Sequence, residues 1–127
     1  MIYVDSNILM YLLEDDSERG DAVRRRFSEI GRDVVVSPLV AMECLVVPIR
    51  DGNAFLVRTY ERTLAAIRSL EIAPEAYLNA ARIRARHRLK TIDSIHLATA
   101  QFHLCDGFWT NDARLRVAAE GLAVETF

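Results

Sequence analysis

Short runs of strand-forming residues punctuate this chain: "IYV" at 2–4, "DVVVS" at 33–37, "GFWT" at 107–110 and "AVET" at 123–126. Strands with one face in water alternate apolar and polar residues, whereas strands covered on both faces read as unbroken apolar runs, as the first three do here. Between them lie stretches with helical spacing. One helix is expected over 17–31, with Ser17 as its cap, Gly31 as its end, and Ala22, Val23, Phe27 and Ile30 at helical spacing. A second covers 39–49, with Pro48 interrupting it near its end. A long helix is expected over 53–70, followed by a short turn or strand "LEIA" at 70–73. Pro74 opens the next helix, which runs to 89, and two more cover 91–104 and 112–121. Strands alternating with helices specify an α/β chain with a parallel sheet covered on both faces.

The chain has 127 residues, 51% hydrophobic and 27% charged, which suits one domain spanning 1–127, and no repeat, linker or low-complexity tract divides it. No apolar run reaches the roughly 20 residues needed to span a bilayer, and no basic segment precedes an apolar one at the start. A soluble, unexported protein with no membrane partner is expected. Cys44 and Cys105 lie in apolar surroundings without a CxxC spacing, so they read as free core thiols in a reducing compartment, with the cytoplasm as the default location.

Against this apolar background, four acids stand out. Asp5 interrupts the greasy opening "MIYVDSNILMY" directly after the first strand, and Asp112 directly follows "GFWTN". In open parallel sheets, ligands bind outside the carboxyl ends of the strands, where both acids fall. Glu43 sits inside the apolar helix "LVAMECLVV", and Asp93 lies in the first turn of "TIDSIHLATA". If both helices begin at that same end of the sheet, four carboxylates converge. Such a cluster repels itself at neutral pH unless cations neutralise it or some acids stay protonated. Oxygen donors without a His or Cys set suit Mg²⁺ or Mn²⁺. A site of this kind commonly cleaves phosphodiesters, with metal-activated water as the nucleophile.

Each acid also has a local explanation. Asp112 after Asn111 is a good helix N-cap, Asp5 could cap a helix that follows the first strand, and Asp93 could favour a helix N-terminus with Thr91 as the cap. Glu43 has the weakest such explanation, because unpaired buried Glu is rare. His96 shares a helix face with Asp93, but the surrounding "IHLATA" reads as core, which favours a packed or supporting His over a ligand. His87 and His103 offer less. Ser6 and Ser94 adjoin acids without a nucleophile-elbow pattern, so supporting polar roles suit them better than nucleophilic ones.

The stretches "YVDSNILMYLL", "SPLVAMECL", "LKTIDSIHLATA" and "WTNDARL" resemble, in order, the successive motifs of PIN-domain proteins, and most closely the VapC-type toxins. The resemblance spans nearly the whole chain. It implies a small three-layer α/β/α sandwich whose central, mostly parallel sheet has about five short strands. It also implies endoribonuclease activity dependent on Mg²⁺ or Mn²⁺, and carries the family's acidic residues onto Asp5, Glu43, Asp93 and Asp112. On that footing Asp5 and Asp93 hold one metal, with Glu43 and Asp112 ligating directly or through water. Asn7, Thr110 and Asn111 match the polar neighbours of those acids. An antitoxin protein partner and homodimerisation are further implications. The region from Gly52 to Leu78 has no transferable motif.

Two rival classes remain. A phosphotransferase of the haloacid-dehalogenase type also begins with a strand-end Asp, but it requires a second Asp two residues on, where this chain has Asn7. A non-catalytic PIN-like module would keep the acids and bind RNA or protein without cutting. The net charge of −2 does not advertise a polyanion partner, but setting aside the four candidate acids leaves 14 acids against 16 basic residues. The run "RIRARHRLK" at 82–90 carries five of the latter and no acid, with Arg82 and Arg86 on one helix face as candidate RNA contacts. With aromatics at only 8% and no stacking platform evident, the expected substrate is a structured RNA recognised by shape and backbone charge and cut in a single-stranded loop.

Overall fold

A computed structural model describes residues 1–127. In chain order its elements are β1 Ile2–Val4, α1 Ser6–Glu14, α2 Glu18–Ile30, β2 Val34–Val36, α3 Pro38–Arg50, α4 Ala54–Ala66, β3 Arg68–Ser69, α5 Pro74–His87, α6 Thr91–Phe102, β4 Gly107–Thr110 and β5 Ala123–Thr126. Two 3₁₀ turns, Gly31–Asp33 and Ala113–Ala118, precede β2 and β5. The five strands form one sheet in the order β3-β2-β1-β4-β5, and every pairing is parallel. The sheet expected to be mostly parallel is wholly so.

The chain winds outward from β1 to β3, then returns to pair β4 on the other side of β1. With right-handed crossovers, this places α1 to α4 on one face and α5, α6 and the second 3₁₀ turn on the other. The helix contacts agree: α1 packs on α2 and α3, α3 on α4, and α5 on α6 and the 3₁₀ turn. Residue alternation assigns the strand side chains. Tyr3 and its neighbour Phe108 stack with ring centroids 5.5 Å apart on the α5–α6 face, whereas Trp109 meets Phe27 of α2 edge-on at 5.4 Å on the other. Phe108 and Leu97 are fully buried, and each such side chain stabilises the fold by about 2 kcal/mol.

Between α1 and α2 the chain turns so tightly that a Cβ at Gly20 would lie 1.8 Å from the Asp15 carbonyl oxygen. Arg24 closes that corner by donating to the carbonyls of Leu12, at 3.1 Å, and Asp15, at 2.9 Å.

Several boundaries depart from the sequence reading. The helix expected over 53–70 ends at Ala66, and the strand lies at Arg68–Ser69 instead of within "LEIA". No Gly or Pro marks that stop. It is set by pairing with β2, including Leu70 N–H donating to the Val36 carbonyl at 2.8 Å. Pro48 does not interrupt α3, which continues to Arg50. The expected final helix over 112–121 is the 3₁₀ turn Ala113–Ala118, whose near-threefold repeat points Leu115 and Ala118 into the core together. Cys44 and Cys105 are free and buried, and burial, aided by the nearby Glu43 charge, pushes the Cys44 thiol up to about 12. No helix is long and apolar enough to cross a membrane.

Candidate active site

Strand order reverses between β1 and β4, so the crevice at their carboxyl ends is where this sheet can accept a ligand. Asp5 leaves β1 there and Asp112 follows β4. Because α3 starts where β2 ends, and α6 finishes just before β4 begins, both helices have their N-termini at this edge. Glu43 and Asp93 therefore join the strand-end acids. One open cleft is lined by Asp5, Glu43, Asp93 and Asp112, with Asn7, Asn111, Lys90 and Arg114 around them. All four acids singled out by sequence share it.

Asp5 occupies the N-cap position of α1, yet its side chain makes no capping hydrogen bond. Instead, Oδ1 accepts from the Ser6 hydroxyl at 3.2 Å and Oδ2 from the Thr110 hydroxyl at 2.9 Å. The residue is 4% exposed, and no Lys or Arg reaches its carboxylate; the nearby His96 ring has Nε2 3.9 Å from Oδ1. A carboxylate buried with only hydroxyl donors retains most of its desolvation cost, so it is primed for a positive ligand.

Glu43 is held differently. His96 Nε2 lies 2.5 Å from Glu43 Oε1, and His96 Nδ1 lies 2.7 Å from the Tyr3 hydroxyl, which also meets Ser37 Oγ at 2.7 Å. With Glu43 ionised, the proton belongs on Nε2, Nδ1 accepts from Tyr3, and Ser37 donates to the Tyr3 oxygen. His96 is buried, as its apolar surroundings in the sequence suggest, and it braces Glu43. Burial drives the Tyr3 hydroxyl pKa far upward, which keeps it a proton donor to the ring. Neither Tyr3 nor Ser37 was identified from sequence. Both sit in unremarkable apolar or turn contexts, and only the sheet geometry aligns them with His96.

The remaining two carboxylates have opposite environments. Burial, then the neighbouring Asp5 charge, pushes Asp93 above the usual carboxylate range. Neither Asp93 nor Thr91 caps α6, whose N-cap is Lys90 without a side-chain cap bond. Asp112 does cap: its Oδ1 accepts from the Arg114 backbone N–H at 2.9 Å. The Arg114 guanidinium also grips it, Nε at 2.9 and 3.0 Å and Nη2 at 2.6 Å, which holds Asp112 below the usual range. The capping explanation therefore holds for Asp112 and fails for Asp5, while Asp93 does lie in the first turn of α6, where the helix dipole favours an acid, although Thr91 is not its cap.

Asn7 donates to Asn111 Oδ1 at 3.3 Å, and Asn111 donates to the Tyr11 hydroxyl at 3.1 Å, forming a polar chain across the cleft mouth. Thr110 links two acids, donating to Asp5 while accepting from the Asp112 backbone N–H at 3.2 Å. Arg82 and Arg86 lie outside the cleft, lining a separate hollow with Asn79 and Gln101. The basic groups beside the acids are Lys90 and Arg114, which the sequence reading did not single out. Their signal was only that each lies within three residues of a candidate acid.

The donor chemistry fits a hard divalent cation. Oxygen atoms of Asp5 and Glu43, together with His96 Nε2, lie within 4.8 Å of one another, and Asp93 and Asp112 add carboxylates along the same cleft. No sulfur faces it, and the His96 ring nitrogens are both engaged.

A parallel three-layer sheet with acids gathered at its switch point defines a class of small α/β proteins with a metal-type cleft. The sequence model of the PIN domain matches residues 2–121, and the chain belongs to that family. No curated protein sequence matches the chain. Among solved structures it is similar to a toxin-antitoxin complex from Klebsiella pneumoniae, with a TM-score of 0.80 and 21% identity over 99% of this chain and 97% of that one. The FitAcB structure from Neisseria gonorrhoeae gives 0.79 and 22%, covering 98% and 96%. The Mycobacterium tuberculosis toxin VapC20, described as cleaving the sarcin-ricin loop, gives 0.78 and 16%, covering 93% and 95%.

Proposed function

We propose that the chain is a metal-dependent endoribonuclease of the VapC type, the toxin of a toxin-antitoxin pair. The observation that carries this reading is Asp5, a buried carboxylate at the switch point of a PIN-family sheet with no Lys or Arg partner and three more acids in its cleft. Asp5, Glu43, Asp93 and Asp112 would hold Mg²⁺ or Mn²⁺. When bound, such a cation activates water for attack at phosphorus and offsets the charge that builds on the phosphate oxygens.

This chain's own groups do the rest. Ser6 and Thr110 orient the two Asp5 oxygens, His96 fixes Glu43, and Asn7 and Asn111 offer uncharged hydrogen-bonding groups to the substrate at the cleft mouth. Asp93, whose proton is held more tightly than usual, loses it readily once a cation shares the cleft. No side chain in the cleft has the arrangement of a covalent nucleophile, so hydrolysis proceeds by direct water attack.

The substrate proposed is a folded RNA cut in an unpaired loop, in keeping with the sarcin-ricin loop cleavage described for VapC20. The proposed protein partner is an antitoxin, supported by the toxin-antitoxin assemblies among the similar structures. Homodimerisation is proposed with it. The decisive experiment is incubation of purified protein with total RNA in Mn²⁺, in Mg²⁺ and in EDTA, followed by mapping of new 5′ ends. Cuts in a few folded loops, lost in EDTA and in Asp5→Asn, are expected. Metal-independent cutting, or none in the presence of either cation, overturns the reading.

A further inference from the structure

We propose that a single-stranded RNA segment leaves the acidic cleft over one wall only, along a basic track made by Arg114, Lys90, Arg88, Arg86 and Arg82. The proposal rests on the nuclease reading and adds the path of the strand beyond the bond that is cut. Its first support is continuity of the surface. The cleft shares Lys90, Asp93, Asp112 and Arg114 with an adjoining hollow that adds Arg88, and that hollow shares His87 with a third, which holds Arg82 and Arg86. Three depressions linked by shared lining residues thus run from the acids to the middle of α5.

Charge makes the groove directional. Beyond the catalytic acids, the single acid lining this course is Glu120, which forms an exposed pair with Arg86 at 3.7 Å. Exposed pairs of this sort exchange readily for a phosphate. Arg84 is excluded from the track because its Nε donates to the Leu89 carbonyl at 3.1 Å, bracing the turn that carries Arg88 and Lys90. Across the cleft, α3, which supplies Glu43, exposes Met42, Val46 and Ile49, and its one basic residue, Arg50, lies in its last turn and pairs with Asp51. A polyanion crossing the cleft is drawn towards the basic side.

Arg88 gives the second support. It caps α5 in the left-handed region, with φ of 55°, a conformation that favours glycine. Its charged side chain is exposed and makes no hydrogen bond or ion pair within the protein, which leaves it free to meet a phosphate. Apart from the part-buried His87 imidazole the groove has no aromatic ring, so its contacts fall mainly on the backbone and depend little on base identity. An acidic protein segment is the alternative occupant; the nuclease reading of the adjoining cleft favours RNA over it.

The test measures binding of the full-length protein to a labelled single-stranded RNA in EDTA, where no cleavage occurs, over a range of salt. Three variants are compared with wild type: Arg88→Gly, the double variant Arg82→Glu with Arg86→Glu, and Arg62→Glu on α4 as a remote control. The track predicts that Arg88→Gly melts at or above the wild-type temperature yet binds RNA about threefold more weakly. The double variant should lose about tenfold in affinity, and its salt slope should flatten by about 1.4, the release of two counterions on a single strand. Arg62→Glu should bind as wild type does. Equal affinity and slope in all four proteins overturns the track, as does a polyglutamate chain that competes as well as RNA of equal length. Wild-type protein that binds RNA in this pattern but never cuts it with Mn²⁺ sinks the nuclease reading and leaves the track standing.

Discussion

His96 and Glu43, 53 residues apart in sequence, meet at 2.5 Å because α6 and α3 approach the carboxyl edge of the sheet from opposite faces. The ring is 1% exposed and anchored behind by Tyr3, so Glu43 presents its carboxylate to the cleft in one orientation. His96→Phe should fold but leave Glu43 free to swing. Weakening of a ligand's support typically costs 10–100-fold in metal affinity or activity, and Mn²⁺ titration of the variant should show a loss of about that size. An affinity unchanged from wild type would mean that Glu43 is positioned by something else.

Tyr3→Phe isolates the buried end of the same chain. It deletes the hydroxyl that serves both His96 and Ser37, leaving a buried ring nitrogen without a donor. The expected loss is about 1–3 kcal/mol in chemical denaturation. Ser37→Ala leaves the Tyr3–His96 bond in place and should cost less than Tyr3→Phe. Equal losses for the two would argue against the assigned proton positions.

Asp93 yields a pH prediction. Its folded-state pKa is raised above 3.8, first by burial and then by the Asp5 charge, so its contribution to stability is fully present below the ordinary value and is lost as pH rises through the raised one. In metal-free protein at neutral pH, the ionised side chain is therefore a net cost. Asp93→Asn should raise the melting temperature in EDTA at pH 7 by a few degrees and narrow the difference between pH 4 and pH 7. In Mn²⁺ the ranking should reverse, because the wild type gains binding energy that the variant lacks. A variant less stable than wild type in EDTA at pH 7 refutes this account.

Much of this arrangement is legible in the sequence. Asp5 and Asp112 stood out because acids terminate apolar strands, and Glu43 because it breaks an apolar helix. The resemblance to PIN domains tied these to Asp93. What escaped the sequence depended on distant partners. The two-residue strand β3 exists because Val35 and Val36 of β2 supply its pairing, so no local pattern marks it. Asp112 ends a strand and caps a turn at once, and its sequence position could not show that Arg114 would also fold back onto it. Tyr3 looked like any core aromatic until the register of β1 brought it beneath His96. Local propensity marks where elements begin, whereas long-range packing decides which polar groups meet.

The corner between α1 and α2 tests a different part of the fold. Gly20→Ala forces a methyl group into the Asp15 carbonyl, which lies on backbone that Arg24 holds in place. The expected destabilisation is about 3 kcal/mol, at the upper end of overpacking costs. The Asp15 side chain is held down to about 2, chiefly by its hydrogen bonds to Ser17 and then Arg19, so the stability it contributes is present above 3.8 and lost as pH falls through about 2. Asp15→Asn should therefore flatten the acid limb of a stability profile between those values. An alanine variant with wild-type stability would show that the corner opens freely.

Arg114 supplies the last prediction. In the metal-free cleft its guanidinium is the counterion of Asp112, bound through both side-chain oxygens, yet the side chain is 80% exposed. An ion pair this open adds little to stability, so Arg114→Gln should melt close to wild type. Its effect should appear at the site. Without Arg114, Asp112 loses the charge that holds its pKa down and is free to turn towards a cation, so Mn²⁺ should bind the variant more tightly. RNA binding should move the other way, because the same substitution removes a phosphate contact proposed for the mouth of the cleft. Calorimetric titration of Mn²⁺ and salt-dependent RNA binding, measured on one preparation, separate the two effects. Weaker binding of both ligands would show that Arg114 holds Asp112 in its working position, and that the pair is a structural support of the site instead of a counterion that gives way to metal.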